Sequence, residues 1–378
     1  MTCDRCAECE EQGMKYCAYC GEELCEDCPE CGDNRERGSS YCGGCGKRLG
    51  HAEPTPVPVE EENILGKIAE LCIPVMLIVL LIEIAFMVAG TTSVIDYASG
   101  YSMRILMLLP HLVSVGSITG TALQIAWVLI ELAVLASFVV LLWKTWKAMP
   151  RDRKPTVDEI VYSQAGRTGS VYAMAMAVSM AVSLIFMALG VDMGSASSNP
   201  TGNTPAALLA YADAGVWEEV ISRFIPMGIP MAIAALAHGR KDAWRFLFGG
   251  FGLSRLSVAL IFISALMFGF AHMSGWGLWK VLPSFLVGLL LGYLYARVGI
   301  HATILVHFAL DYLAVISYTG SMALTGLSSI LILVLVGLGF VALAMYAIKA
   351  WNRREELRSM PNWMPPDQEI IFSRREED

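Results

Sequence analysis

Residues 214–224 read AGVWEEVISRF, two adjacent glutamates and an arginine set in a mainly apolar run from about 206 to 236. A membrane-crossing helix needs about 20 apolar residues, so this run is long enough to span and its charges lie within it. Each such charge costs about 2.5–3.5 kcal/mol on insertion scales and usually faces protein or water rather than lipid. Glu219 and Arg223 stand four apart with the acid first, the favoured order for a helical ion pair. On a regular helix Glu218 points about 100° away from Glu219 and is left unneutralised.

The surrounding chain is built for the same medium. Of 378 residues, 55% are hydrophobic and 16% charged, and the mean hydropathy is +0.54. This excludes an ordinary soluble domain. Eight segments reach or approach spanning length: about 68–90, 119–143, 169–190, 206–236, 254–273, 280–298, 300–318 and 324–348. The fold expected is therefore an all-α polytopic membrane protein of about eight transmembrane helices, carrying a small N-terminal cysteine-rich module. The basic turns KTWKAMPRDRK (144–154), HGRKDAWR (238–245), Arg297 and KAWNRR (349–354) follow the even-numbered spans. By the positive-inside rule both termini are expected in the cytoplasm. The start MTCDRCAECEEQ has neither a basic nor an apolar leader and agrees with that side. MRILMLLPHLV (103–113) is too short to span and is expected to lie at the interface or to re-enter.

Ten of the eleven cysteines fall in the first 45 residues. Cys3, Cys6, Cys17 and Cys20, then Cys28, Cys31, Cys42 and Cys45, repeat C-x2-C-x10-C-x2-C. Two CxxC turns close a tetrahedral site of four thiolates, so two structural zinc ions are expected, with a disulfide framework as the alternative. The repeat resembles a double zinc ribbon over residues 1–48. Residues 49–63 form a Pro-rich acidic linker, 64–350 the membrane domain and 351–378 a cytoplasmic tail. Residues 1–50 hold eleven Asp and Glu against six Lys and Arg, which disfavours phosphate; the module is read as binding a protein partner, not nucleic acid.

Two later spans add polar residues at helical spacing: FGFAH, with Phe268 one turn before His272, and HFALD, with His307 one turn before Asp311. Taken singly, such residues are most often interhelical packing. As an ordered set on three spans, E-E-x-x-x-R, F-x-x-x-H and H-x-x-x-D, they resemble the CPBP family, which includes type II CAAX prenyl endopeptidases, over about 165–345. The resemblance implies hydrolysis of a peptide bond by glutamate-activated water, with no cofactor required for catalysis. Glu218 is then the general base and His272 its partner on the water. His307, with Asp311 beside it, stabilises the oxyanion, and Glu219, Arg223 and Phe268 brace the site. Asp311 stands where the family more often has Asn, and Phe224 where Gly usually follows the arginine.

No H-E-x-x-H is present, and Ser274 in HMSGWG lacks the context of a serine protease. A metal held by Glu218, His272 and His307 is the alternative chemistry. Glu83 and Glu131 are expected to hydrogen-bond between helices. The function expected is an intramembrane endopeptidase acting on a peptide or membrane-protein substrate, in contact with membrane lipid. The alternative is a non-proteolytic scaffold recruiting partners through the ribbon. Along the spans Glu218 lies mid-membrane, His272 near the outer end and His307 nearer the inner side, so catalysis requires them to converge. For the ribbon, a 1–50 fragment titrated with DNA or RNA is expected to bind weakly; tight, salt-sensitive binding would overturn the protein-partner reading.

Overall fold

The computed structural model describes residues 64–108, 112–194, 203–318, 320–354 and 361–363. The zinc-ribbon and linker assignments, and the tail beyond residue 363, lie outside the described residues. The structure is that of a multi-pass helical membrane protein. Seven helices among the described residues are long and apolar enough to cross: α1 (Ile64–Ala89), α3 (Gly120–Ala148), α5 (Gln164–Ala188), α6 (Thr204–Ala237), α7 (Arg255–Trp276), α8 (Leu278–Arg297) and α10 (Met322–Asn352). Shorter helices α2 (Thr91–Gly100), α4 (Val157–Val161) and α9 (Ile300–Tyr312) complete the set used below.

The seventh of the eight expected spans, 300–318, differs from the expectation. Its helix α9 has 13 residues, too few to cross by itself, and His301–Ala309 are buried throughout. It is a core helix, packed among α3, α5, α6 and α8. Segment 103–113, too short to span, contributes to a pair of strands. Ser102–Leu108 (β1) pairs antiparallel with Leu112–Thr119 (β2), with an irregularity between Ile105 and Leu106. Pairing gives the facing backbone groups of the two strands partners in each other, which is what a non-helical segment needs beside a membrane core. Leu108 packs with Ile221 of α6 and Ala271 of α7, and the Leu106 carbonyl accepts a hydrogen bond from Trp217 Nε1 at 2.7 Å.

Helix starts follow local chemistry. Asn203, Ser163 and Ser321 each accept from a backbone N–H in the first turn of α6, α5 and α10, removing one orphan donor apiece. Ser254 and Ser257 form a reciprocal capping box at the start of α7. Thr156 and Glu159 do the same for α4. Hydrogen bonds from Arg153 to Glu159, with the Thr156 backbone N–H, hold that carboxyl down at about 2. At the far end of α10, Lys349 reaches Asp158 of α4 at 3.3 Å, so the basic end of this helix lies beside α4.

Large apolar side chains such as Leu129, Leu132, Ile233, Leu236 and Leu333 stay exposed on the outer faces, as lipid contact requires. Between helices the backbones approach closely at small residues. A Cβ on Gly215 of α6 would lie 2.7 Å from the Phe308 Cα of α9. Only glycine lets α6 rest on α9 at this distance. Gly215→Val is therefore expected to separate the two helices and destabilise the fold by about 1–3 kcal/mol, read as a lower unfolding temperature in detergent.

Candidate active site

The charged stretch of α6 is not a regular α-helix. Ala214–Glu218 and Val220–Gly228 are π-helical, a wider winding that recurs at functional sites. Pro226 lies inside it and cannot donate a backbone hydrogen bond. On the neighbouring helix α7 the Ser264 hydroxyl donates to the Ser222 carbonyl, so a side chain makes good part of the irregular ladder.

From adjacent positions, Glu218 and Glu219 address the two nitrogens of a single imidazole. Glu219 Oε1 lies 2.7 Å from His307 Nδ1, and Glu218 Oε2 lies 3.8 Å from His307 Nε2. Glu219 also pairs with Arg223 Nη1 at 3.3 Å, both side chains fully buried. The Arg223 guanidinium stacks on the Phe268 ring at 4.4 Å, and that ring meets His272 and His307 edge-on at 4.6 and 5.6 Å. Phe268 thus contacts the cation and both histidines.

His272 comes from the later part of α7, where it closes the Arg255–Ala271 segment. Its Nδ1 lies 2.8 Å from the Phe268 carbonyl. A carbonyl only accepts, so Nδ1 carries the hydrogen, and in the neutral ring Nε2 presents a lone pair. That lone pair faces Glu218 Oε2 at 3.9 Å. Two acceptors aimed at the space between them suit the two hydrogens of one water molecule.

His307 is set differently. Glu219 is held as a carboxylate by Arg223, so His307 Nδ1–H donates to it, and Nε2 faces Asp311 Oδ2 at 3.5 Å as well as Glu218. Two carboxylates on the Nε2 side favour a second proton there. Asp311 therefore sits on the far side of the ring from the group that orients His307, which is Glu219. The side chain of Glu218 keeps about a third of its surface exposed, whereas Glu219 keeps none.

The structure brings together Glu218, Glu219, Arg223, Phe268, His272, His307 and Asp311 from α6, α7 and α9. The apparent mismatch in depth disappears because the long segment of α7 closes at His272 and the short α9 enters the core. Among the described residues no group of three or more His, Cys, Asp or Glu has the spacing to hold a metal ion. Two site neighbours belong to none of the three motifs. Lys280, held over the Trp276 and Trp279 rings at 4.7 and 5.6 Å, interacts electrostatically with both Asp311 and Glu218. Asp213 interacts with Glu218. It precedes Glu218 by five residues, the repeat of a π-turn, and is visible in the sequence as a fourth charge in the apolar run. Glu131 accepts a hydrogen bond from Thr91. Glu83 is fully buried, and neither of its carboxyl oxygens has a hydrogen-bond partner among the described residues.

Residues 200–313 match the family model of Rce1-like type II CAAX prenyl endopeptidases. The match contains all three motifs, from Glu218 to Asp311. No curated protein and no solved structure matches the chain. The segment that carries the site is thus similar to a family of membrane proteases.

Arg223→Ala would leave Glu219 as a buried charge without its partner. A loss of about 3–5 kcal/mol is expected, measured by unfolding of purified protein. An Arg223→Ala protein as stable as the parent would remove the bracing role.

Proposed function

We propose that the chain is an intramembrane endopeptidase in which Glu218 activates water to hydrolyse a peptide bond. The reading is supported above all by the placement of Glu218 Oε2 between His272 Nε2 at 3.9 Å and His307 Nε2 at 3.8 Å. The similarity of residues 200–313 to membrane endopeptidases points the same way.

A water in the space between Glu218 and His272 donates one hydrogen to each and turns its oxygen lone pair towards a substrate carbonyl. As the oxygen attacks, Glu218 takes its proton. Charge then develops on the carbonyl oxygen, where the His307 Nε2–H donates; its Nδ1–H remains on Glu219, which fixes the ring. A preorganised donor of this kind is usually the largest electrostatic contribution to such a step. Collapse of the tetrahedral intermediate transfers the proton from Glu218 to the leaving amine. Asp311, on the Nε2 side of His307, supports the protonated ring. The Glu219–Arg223 pair keeps its charge balance while Glu218 gains and loses a proton.

The substrate class is a peptide or a segment of a membrane protein. The N-terminal cysteine module, with two structural zinc ions, is proposed to bring a protein partner to the membrane, and the basic turns to face the cytoplasm. Catalysis is proposed to need no metal.

Glu218→Gln keeps the size of the side chain and removes the base. Detergent-purified protein tested on a broad reporter-peptide library is expected to lose cleavage by about 10²–10⁴-fold in this variant, with unfolding temperature unchanged. Cleavage by the parent is expected to survive EDTA and a zinc-selective chelator. Inhibition by chelators with the fold intact would reassign Glu218, His272 and His307 to a metal. Absence of cleavage by either protein, with partner capture retained, would favour a scaffold.

A further inference from the structure

We propose that Lys280 is a positioning residue of the candidate site, where its ammonium offsets the charge of Asp311 and so allows an oxyanion to form beside His307. The inference rests on the reading of Glu218 as the base of a peptide hydrolysis. Lys280 is brought to the site by a short connection that starts at His272. The Trp276 backbone N–H donates to the His272 carbonyl at 3.1 Å, and the Gly277 N–H to the Met273 carbonyl at 2.9 Å. Gly277 then takes φ +88°, a conformation that glycine adopts without steric cost. The Lys280 N–H donates back to the Gly277 carbonyl at 3.2 Å. This turn sets the Trp276 and Trp279 rings edge to face at 6.4 Å, with Lys280 Nζ 4.7 and 5.6 Å from their centroids. Two aromatic rings thus hold a half-buried ammonium in place by attraction to their π-electrons.

The reaction creates negative charge in a place that is already negative. Asp311 Oδ2 and Glu218 Oε2 lie 3.5 and 3.8 Å from His307 Nε2, the nitrogen that donates to the oxyanion in that reading. Like charges so close oppose one another strongly where water is scarce. Arg223 is committed to Glu219, at 3.3 Å in the buried interior. Lys280 interacts electrostatically with Asp311 and Glu218, the two carboxylates whose side chains stay about a third exposed. Also facing Asp311 are His307 on its own helix, His272 from α7 and Glu83 from α1. The three motif carboxylates are therefore divided between two cations, Glu219 with Arg223, and Asp311 and Glu218 with Lys280. Among the described residues no contact ion pair joins Lys280 to either carboxylate. Its influence on them is carried by charge and not by a bond that fixes their geometry.

The test is a double-mutant cycle on the full chain in detergent, comparing the parent, Lys280→Met, Asp311→Asn and the double variant, with Lys280→Arg beside them. Reporter-peptide cleavage gives kcat and KM, and thermal unfolding is measured on every protein. Lys280→Met is expected to lower kcat about tenfold with KM within about twofold of the parent. Lys280→Arg, which keeps the charge and the aromatic contacts, should stay within about threefold. In the Asp311→Asn background the same Lys280→Met change should cost no more than about twofold. An equal loss in both backgrounds, or a loss confined to KM, would overturn the role in the reaction. Unfolding gives a readout that needs no cleavage. Lys280→Met should lower the unfolding temperature more in the parent than in the Asp311→Asn background, and additive shifts would overturn the pairing of Lys280 with Asp311 even where Asp311→Asn is inactive. Absence of cleavage by the parent would instead count against the peptidase reading, with the unfolding cycle still deciding the charge pairing.

Discussion

The constraint on which this structure turns is the buried pair of Glu219 and Arg223. Both side chains are fully buried at 3.3 Å in α6, where neither charge could persist alone. Their mutual neutralisation leaves Glu219 a carboxylate inside the bundle. Its Oε1 then holds His307 through Nδ1 at 2.7 Å. The imidazole of α9 is thereby oriented by a residue of α6, and the contact depends on the close approach at Gly215. One ion pair consequently fixes the charge state of the interior and the docking of two helices.

One short stretch of α6 serves two purposes. Adjacent glutamates on a helix face different directions, and these two reach His307 at its two different nitrogens. Glu219 remains in the core while Glu218, with about a third of its side chain exposed, faces the open part of the site. Sequence adjacency is converted into a division between a structural carboxylate and a reactive one. Pro226 and the Ser264 to Ser222 hydrogen bond show the cost of the π-winding being met by the neighbouring helix.

Much of this was legible in the sequence, for identifiable reasons. Spans were readable because lipid imposes length and apolarity on each helix by itself. Glu218, Glu219, Arg223, His272, His307 and Asp311 stood out because charge is costly in that medium. What could not be read depends on contacts between segments. A hairpin at 102–119 requires two strands to find one another beside α6 and α7, and an apolar run with Gly116 and a few serines gives little warning of it. Segment 300–318 has the composition of a span, yet its helix stops at Tyr312 inside the protein. Lys280 stood at the edge of the expected span 280–298, where a lysine is ordinarily solvated; only the folded chain brings its charge into interaction with Asp311 and Glu218.

His272 and His307 illustrate how the same side chain is given two chemical roles by its second nitrogen. His272 Nδ1 donates to a neutral carbonyl, which leaves Nε2 as a lone pair and adds no charge. His307 Nδ1 donates to a carboxylate, and two more carboxylate oxygens stand 3.5 and 3.8 Å from its Nε2, which favours a hydrogen there. The first ring suits holding a water by its hydrogen, the second suits donating to a developing oxyanion. Neither assignment comes from the histidines themselves. Each is set by the atom behind the ring, and for His307 that atom belongs to the carboxylate made permanent by Arg223.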